Sequence, residues 1–281
     1  MIRHLEAEWL DALPAADDRA LRSRGDLARL NVLMGQAGLM AAALRAHVAA
    51  SPRVIVDLGG GDGSFMLRVA RKLAPIWRHV RVVSVDRGVV VGEATQTAFH
   101  ALGWRFEPVA MDVLDYLELG GRADAITVNL FLHHLPDAEL RRLFALAAAR
   151  ADLFVACETR RSALPLFATR CLWLLGCNDV TRHDAQLSVR AGFRQHELSA
   201  LWPQDMTWRL AEGNAGLFSH RFVARRVVER GASVPLPPRS GGEGPGVGGE
   251  VRAGRGIDPP TPDPSPPLAS LVGGGEKKRV P

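Results

Sequence analysis

Residues 54–65 read VIVDLGGGDGSF. The apolar, β-branched run at 54–58 has the composition of a strand buried on both faces of a parallel sheet. Glycines at 59, 61 and 63 permit positive φ angles and let a ligand approach the backbone closely. A helix that begins just beyond them offers free N–H groups and a partial positive charge to whatever lies in the turn. The flanking segments repeat this alternation. Strand signals recur at 80–85, 106–111, 125–129 and 153–157, with helices expected at 65–74 (stopped by Pro75), 93–102 and 137–149. Strands alternating with helices predict an α/β fold, a parallel sheet wound on both faces. Past Glu158 the spacing predicts helices at 163–175 and 184–191. The chain then ends in a hairpin of 207–211 and 217–224, turning through 212–216.

A nucleotide-like ligand is expected at such a turn, because open α/β sheets bind at the carboxyl ends of their strands. A dinucleotide needs GxGxxG or GxGxxA. Counted from Gly59 the sixth position is Ser64, and from Gly61 it is Met66, so both registers fail. Asp57 and Asp62 flank the turn; a pyrophosphate would meet negative charge there, whereas an ammonium group would be attracted. The pattern Asp57-x-Gly59-x-Gly61-x-Gly63 is similar to the first motif of class I S-adenosylmethionine (SAM)-dependent methyltransferases. That resemblance implies a Rossmann-like, doubly wound, mostly parallel seven-stranded sheet with a C-terminal antiparallel hairpin, and SAM as cofactor. Asp57, Gly59, Gly61 and Gly63 would be cofactor-binding residues.

Acids at the next strand ends fit the same ligand. Asp86 closes the second strand, 25 residues after Gly61, near the spacing of about 20 that a strand–helix–strand unit allows; its carboxylate would accept from both ribose hydroxyls. A strand-terminating turn is the alternative use of such an Asp. Asp112 closes the third strand, and in the resembling family an acid here holds the adenine amino group while the next N–H, that of Val113, meets the ring. Asp115 competes for that role.

The fourth strand runs into a pair of histidines, in DAITVNLFLHHL at 124–135. It resembles the corresponding stretch of small-molecule methyltransferases of the ubiquinone/menaquinone and polyketide-tailoring types. The resemblance covers about residues 53–158 and continues more weakly to 228. Asn129 and Leu130 would line the methionine part of SAM through backbone groups. Asn129 is followed by Leu-Phe-Leu, without the Pro-Pro-aromatic run of nucleic-acid amino-methyltransferases, which counts against a nucleic-acid substrate. Methyl transfer needs a base only when the acceptor carries a proton, and histidine titrates in the useful range. His133 and His134 are therefore the candidate catalytic residues, one facing the pocket while the other packs; both could instead be structural. No metal is expected, since neighbouring residues seldom share one and no third ligand stands at a suitable spacing.

The acceptor side is less legible. Glu158 and the polar run CNDVTRHD at 177–184 are expected at the substrate mouth, with Leu164, Phe167, Leu172, Trp173 and Leu174 as apolar wall. Such a pocket suits a small aromatic, quinone or polyketide-like acceptor, with O- or C-methylation favoured and N-methylation not excluded. A nicotinamide-dependent oxidoreductase and a non-catalytic SAM-binding protein are the competing functions. The failed fingerprint opposes the first, and the complete set of acids opposes the second.

Composition bounds the rest. The chain has 281 residues, 47% of them hydrophobic, and a net charge of +5. Lysine occurs only at 72, 277 and 278, and no basic stripe interleaved with aromatics points to nucleic acid. No uncharged apolar run of about 18 residues predicts a membrane span. Three cysteines without a CxxC pair, and no secretory signal, predict free thiols and a cytoplasmic protein. A homodimer is left open. Residues 1–52 form an N-terminal helical segment, a lid or edge helices, broken at Pro14 and Gly25. Residues 53–228 form the SAM-binding domain. Residues 229–281 are expected to be a disordered Pro/Gly-rich tail. There, the codons of GEGPGVG at 242–248, reverse-complemented with a one-base shift, would give PTPGPSP, close to PTPDPSP at 260–266. This predicts a translated inverted repeat; a linker to a partner is the alternative.

Overall fold

The computed structural model describes residues 1–227, apart from positions 15, 49, 89 and 90. The tail expected over 229–281 lies outside the described residues. One seven-stranded sheet organises the chain: β1 (Val54–Leu58), β2 (Arg81–Asp86), β3 (Arg105–Ala110), β4 (Ala125–Asn129), β5 (Leu153–Thr159), β6 (Trp208–Ala215) and β7 (Ser219–Arg226). Their order is β3-β2-β1-β4-β5-β7-β6. The first five run parallel, and β7 lies antiparallel between β5 and β6. This is the α/β sheet with a C-terminal antiparallel hairpin that the alternation predicts. The order reverses direction between β1 and β4, which opens a crevice at their carboxyl ends.

The N-terminal segment supplies α1 (Trp9–Ala12), α2 (Asp18–Leu33) and α3 (Gln36–His47). Gly25 does not break α2, as its sequence suggests. It lies on the exposed side of the helix, where a glycine costs about 1 kcal/mol and is tolerated. The break falls at Gly35, whose φ of 68° no ordinary side chain adopts cheaply. The helices of the domain follow as α4 (Ser64–Leu73), α5 (Glu93–Ala101), α6 (Val113–Leu119), α7 (Asp137–Arg150), α8 (Ala163–Arg170), α9 (Asp179–Ala191) and α10 (Glu197–Leu201).

Both sheet faces are buried. Against one pack Val113, Leu117, Leu140, Phe144 and Trp202 from α6, α7 and the end of α10. Against the other pack Met40, Leu44, Met66, Val69 and Phe99 from α3, α4 and α5. The first half of the N-terminal segment behaves differently. It crosses to α9, where Asp26 accepts from the Asn178 amide (2.9 Å) and the Thr181 hydroxyl (3.0 Å). Asp184 accepts from the backbone N–H groups of Trp9 and Leu10, both at 2.9 Å. Asp184 thus caps α1 and not its own helix, which starts earlier, at Asp179, under the Asn178 side chain.

The predicted helix over 163–175 is interrupted: α8 stops at Arg170, and a 3-10 turn over Leu172–Leu175 ends at Gly176 with φ 71°. The hairpin turn lies at 216–218, later than 212–216, because Glu212 is held inside the ladder. It accepts from the Leu198 and Ser199 amides (3.0 and 2.7 Å) and sits 2.8 Å from His220 Nε2.

Candidate active site

The glycine-rich turn is built as the spacing predicts, and its glycines divide the work. Gly59, Gly61 and Gly63 have φ of 70°, 54° and 74°. A Cβ on Gly59 would lie 2.6 Å from the Phe131 ring, and one on Gly63 2.6 Å from Phe106. Those two positions exclude a side chain to admit the protein's own aromatics. Gly61 alone of the three meets nothing within 4 Å, so its open side is available to a ligand. Its N–H donates to Asp86 Oδ2 at 3.0 Å, and Gly88 N–H donates to Asp86 Oδ1 at 2.9 Å. The ribose candidate therefore borders the open glycine, its carboxylate already oriented by two backbone donors.

The two acids of the turn are not equivalent. Asp62 is exposed, and its Oδ1 accepts from the Ser64 amide at 2.9 Å, capping α4. Asp57 lies beneath the turn, 1% exposed, opposite Ser84 of β2 and Thr127 of β4. The Thr127 hydroxyl donates to its Oδ1 at 2.7 Å, while Asp57 Oδ2 and the Ser84 hydroxyl have no partner. Burial lifts its carboxyl strongly, the Thr127 hydrogen bond opposes this, and the nearby Asp86 adds to it; the result is about 7. Sequence places Asp57 beside an approaching ammonium group; the structure buries its side chain beneath the turn. The residue supports the turn from below, as a carboxyl close to half-protonated at neutral pH.

Asp112 caps α6, its Oδ1 accepting from Leu114 N–H (2.8 Å) and Asp115 N–H (3.3 Å). Its Oδ2 accepts from Arg87 Nε at 2.8 Å and pairs with the same guanidinium through a second nitrogen. Burial would raise this carboxyl, but Arg87 and the two amides hold it below its ordinary value. Arg87, 80% exposed, follows Asp86 directly and gives no sequence signal of its own. Val113 is the first residue of α6 and 5% exposed.

At the end of β4 the backbone turns sharply. Asn129 donates through Nδ2 to Asn31 Oδ1 of α2 at 3.4 Å, while its own Oδ1 is buried without a partner. Leu130 takes φ 52°. Glu158, fully buried at the end of β5, then organises the loop. Its Oε1 accepts from the Phe131 and Leu132 amides (2.9 and 2.8 Å), and its Oε2 lies 2.7 Å from His133 Nδ1. This corrects its expected place at the substrate mouth. The other ring nitrogen of His133, Nε2, is 3.8 Å from Glu8 Oε1. Burial lowers the basicity of His133, but Glu158 and Glu8 outweigh it and bring the ring to about 9. His134 lies beside that ring, its own centroid 4.2 Å away, but is more exposed, at 31%, and 4.0 Å from Asp11; burial and then the charge of His133 lower it.

The N-terminal segment covers this loop. Arg3 donates to the Leu135 carbonyl (2.8 Å), to Ala191 O (2.9 Å) and to Asp137 (2.7 Å), and stands 4.6 Å over the Phe193 ring. Its further contacts to the Leu132 and His133 carbonyls, both at 3.4 Å, tie residues 1–12 to the histidine turn. Arg3, Glu8 and Asp11 carry no sequence signal, because nothing in their spacing tells that the first dozen residues return to the end of β4.

Two cavities flank the strap. One of about 480 Å³ is lined by Met1, Arg160, Arg161, Arg194, His196 and Asn214. The other, about 440 Å³, is lined by Trp9, Arg170, Trp173, Arg182 and His183, with Trp9 stacked on His183 at 3.7 Å. Of the apolar wall predicted from sequence, Leu172 is buried and Trp173 borders the second cavity. Phe167 and Leu174 are 63% and 65% exposed, and Leu164 is exposed too.

Residues 55–151 match the family model described as a methyltransferase domain. A comparison with curated proteins gives no match. Among solved structures, the chain is similar to an O-methyltransferase family protein from Burkholderia thailandensis (19% identity, TM-score 0.50, 75% of this chain and 61% of that one). It is also similar to mitomycin 7-O-methyltransferase (22%, 0.52, 78% and 60%), and to the plantazolicin methyltransferase in complex with SAH (10%, 0.53, 75% and 92%). At these identities the likeness is one of fold. The chain spans about three fifths of the length of the first two.

Proposed function

We propose, from the match of residues 55–151 to a methyltransferase domain and from the order of the sheet, that the chain moves a methyl group from SAM to a small, hydroxyl-bearing aromatic, quinone or polyketide-like acceptor. The observation that carries the cofactor assignment is the juxtaposition of Gly61, whose side is open, with the oriented Asp86 carboxylate at the switch point of the sheet. Gly61 would admit the cofactor against the backbone, Asp86 would hold the ribose hydroxyls, and the turn at Asn129 would border the methionine part. Asp112 would meet the adenine amino group once Arg87 swings aside; Arg87 is exposed enough to do so. SAM supplies an activated methyl carbon with its leaving group already in place.

What remains for the protein is alignment, water exclusion and a proton. The strap formed by residues 1–12 excludes water from the end of β4. Of the two histidines, His134 is the one whose side chain reaches the surface, and it takes the acceptor's proton. His133, clamped by Glu158, positions the turn. The aromatic cavity bounded by Trp9, Trp173 and His183 lies one residue from Glu8 and suits a planar acceptor. Two of the similar folds belong to proteins named as O-methyltransferases, which supports oxygen as the receiving atom.

Incubation of the full chain with methyl-labelled SAM and a panel of phenols, hydroquinones and amines tests the acceptor class. Label is expected on the hydroxylated aromatics. Transfer to the amines alone would overturn the acceptor assignment.

A further inference from the structure

We propose that Glu8, His133 and His134 form a binding site for a zinc-type divalent metal ion, fastening the N-terminal strap to the turn after β4. A ligand atom from each of the three lies within 4.8 Å of the others. His133 Nε2 and Glu8 Oε1 are 3.8 Å apart. That is too long for a hydrogen bond, yet close to the ~3.3–3.5 Å between ligand atoms sharing a tetrahedral ion at bond lengths of about 2.0–2.2 Å. A contraction of a few tenths of an ångström closes this pair, and the exposed His134 ring, within 4.8 Å of both, has to move by at most about 1.5 Å.

Adjacent histidines ordinarily diverge. Here they sit on a 3-10 turn over Leu132–His134, with ring centroids 4.2 Å apart and planes 33° from parallel, so one ion reaches both. The outer layer is also present. His133 presents its other nitrogen, Nδ1, to Glu158 at 2.7 Å, the carboxylate–histidine arrangement that orients a metal-ligating imidazole. Glu158 is itself fixed by the two loop amides, and Glu8 by the Ser188 hydroxyl. Two imidazoles and one carboxylate favour zinc and its neighbours in the transition series over calcium or magnesium, which prefer oxygen. The fourth position is left to water, with Asp11, 4.0 Å from His134 Nδ1, beside it. The site depends on folding, since its carboxylate and its imidazoles are more than a hundred residues apart in sequence, and it competes with the methyl-transfer proposal for His134: while a His134 nitrogen holds the ion, that nitrogen takes no proton.

Zinc titrated into the full chain against a chromophoric chelator tests it. One ion per chain is expected. Glu8→Gln and His134→Gln should each weaken binding at least about 10-fold, and Glu158→Gln about 10-fold by losing the outer layer. Zinc should also raise the melting temperature of the wild type but not of Glu8→Gln, and slow amide exchange over residues 1–12. Wild-type affinity in folded Glu8→Gln and His134→Gln chains would overturn the site, as would binding that disappears only when Cys171 and Cys177 are replaced.

Discussion

Asp57 sits where three strands meet, with one oxygen satisfied by Thr127 and the other facing an equally unpartnered Ser84 hydroxyl. A buried carboxyl lifted from 3.8 to about 7 keeps a proton that the unfolded chain releases. Its stabilising contribution is complete below the unfolded value and is lost as pH rises through about 7. Asp57→Asn supplies a neutral donor toward Ser84. The variant's melting temperature relative to wild type should therefore climb between about pH 5 and pH 8, with a gain on the order of a few kcal/mol at the alkaline end. A constant difference across that range would show that the carboxyl titrates normally. The glycines separate in the same way. Gly59→Ala drives a methyl into Phe131 and should lower stability by several kcal/mol. Gly61→Ala has room and incurs only the left-handed penalty of about 1–2 kcal/mol; it should fold but bind SAH poorly, which parallel melting and calorimetry would reveal. His134→Ala should reduce kcat about 100-fold while leaving SAH affinity nearly unchanged, whereas equal losses in both would make it a structural residue.

At the scale of elements, the strap is held by few but specific bonds. Arg3 alone links the Leu135 carbonyl, Ala191 O and Asp137. Arg3→Ala should cost about 1–3 kcal/mol through the carbonyls it leaves unpaired, and should speed amide exchange over residues 1–12 without altering exchange in β1 or β4. Uniform acceleration along the chain would mean that the strap unfolds only with the whole domain. The strands were legible because each is a compact apolar run bounded by turn residues: 54–58 and 125–129 match to the residue. Errors fell where tertiary contacts override local preference. Gly25 stays helical on an exposed face, β6 runs past its turn-prone residues because Glu212 is anchored from α10, and α6 is too short for its period to show. Asp112, its cap, was visible as an acid at a strand end but not as a partner of Arg87.

At the scale of the whole molecule, the sheet order places the glycine turn, Asp86, Asp112 and the end of β4 along one edge, as a strand–helix alternation requires. The placement of the candidate cofactor residues was readable for that reason: Asp86 and Asn129 end strands, the glycines and Asp112 follow one closely, and strand ends are recognisable. The acceptor half was not. As proposed, it would be assembled from the first dozen residues, the turn after β4, and α9, segments related only by folding; Glu158, expected at its mouth, is buried as the organiser of the loop. Among the described residues no single helix is long and apolar enough to cross a membrane. The central claim is that this edge holds SAM, and calorimetric titration of SAH into the full chain tests it most directly. One-to-one micromolar binding is expected, lost in Asp86→Ala while the melting temperature of that variant stays near wild type. Absence of binding to the intact wild-type chain would contradict the claim.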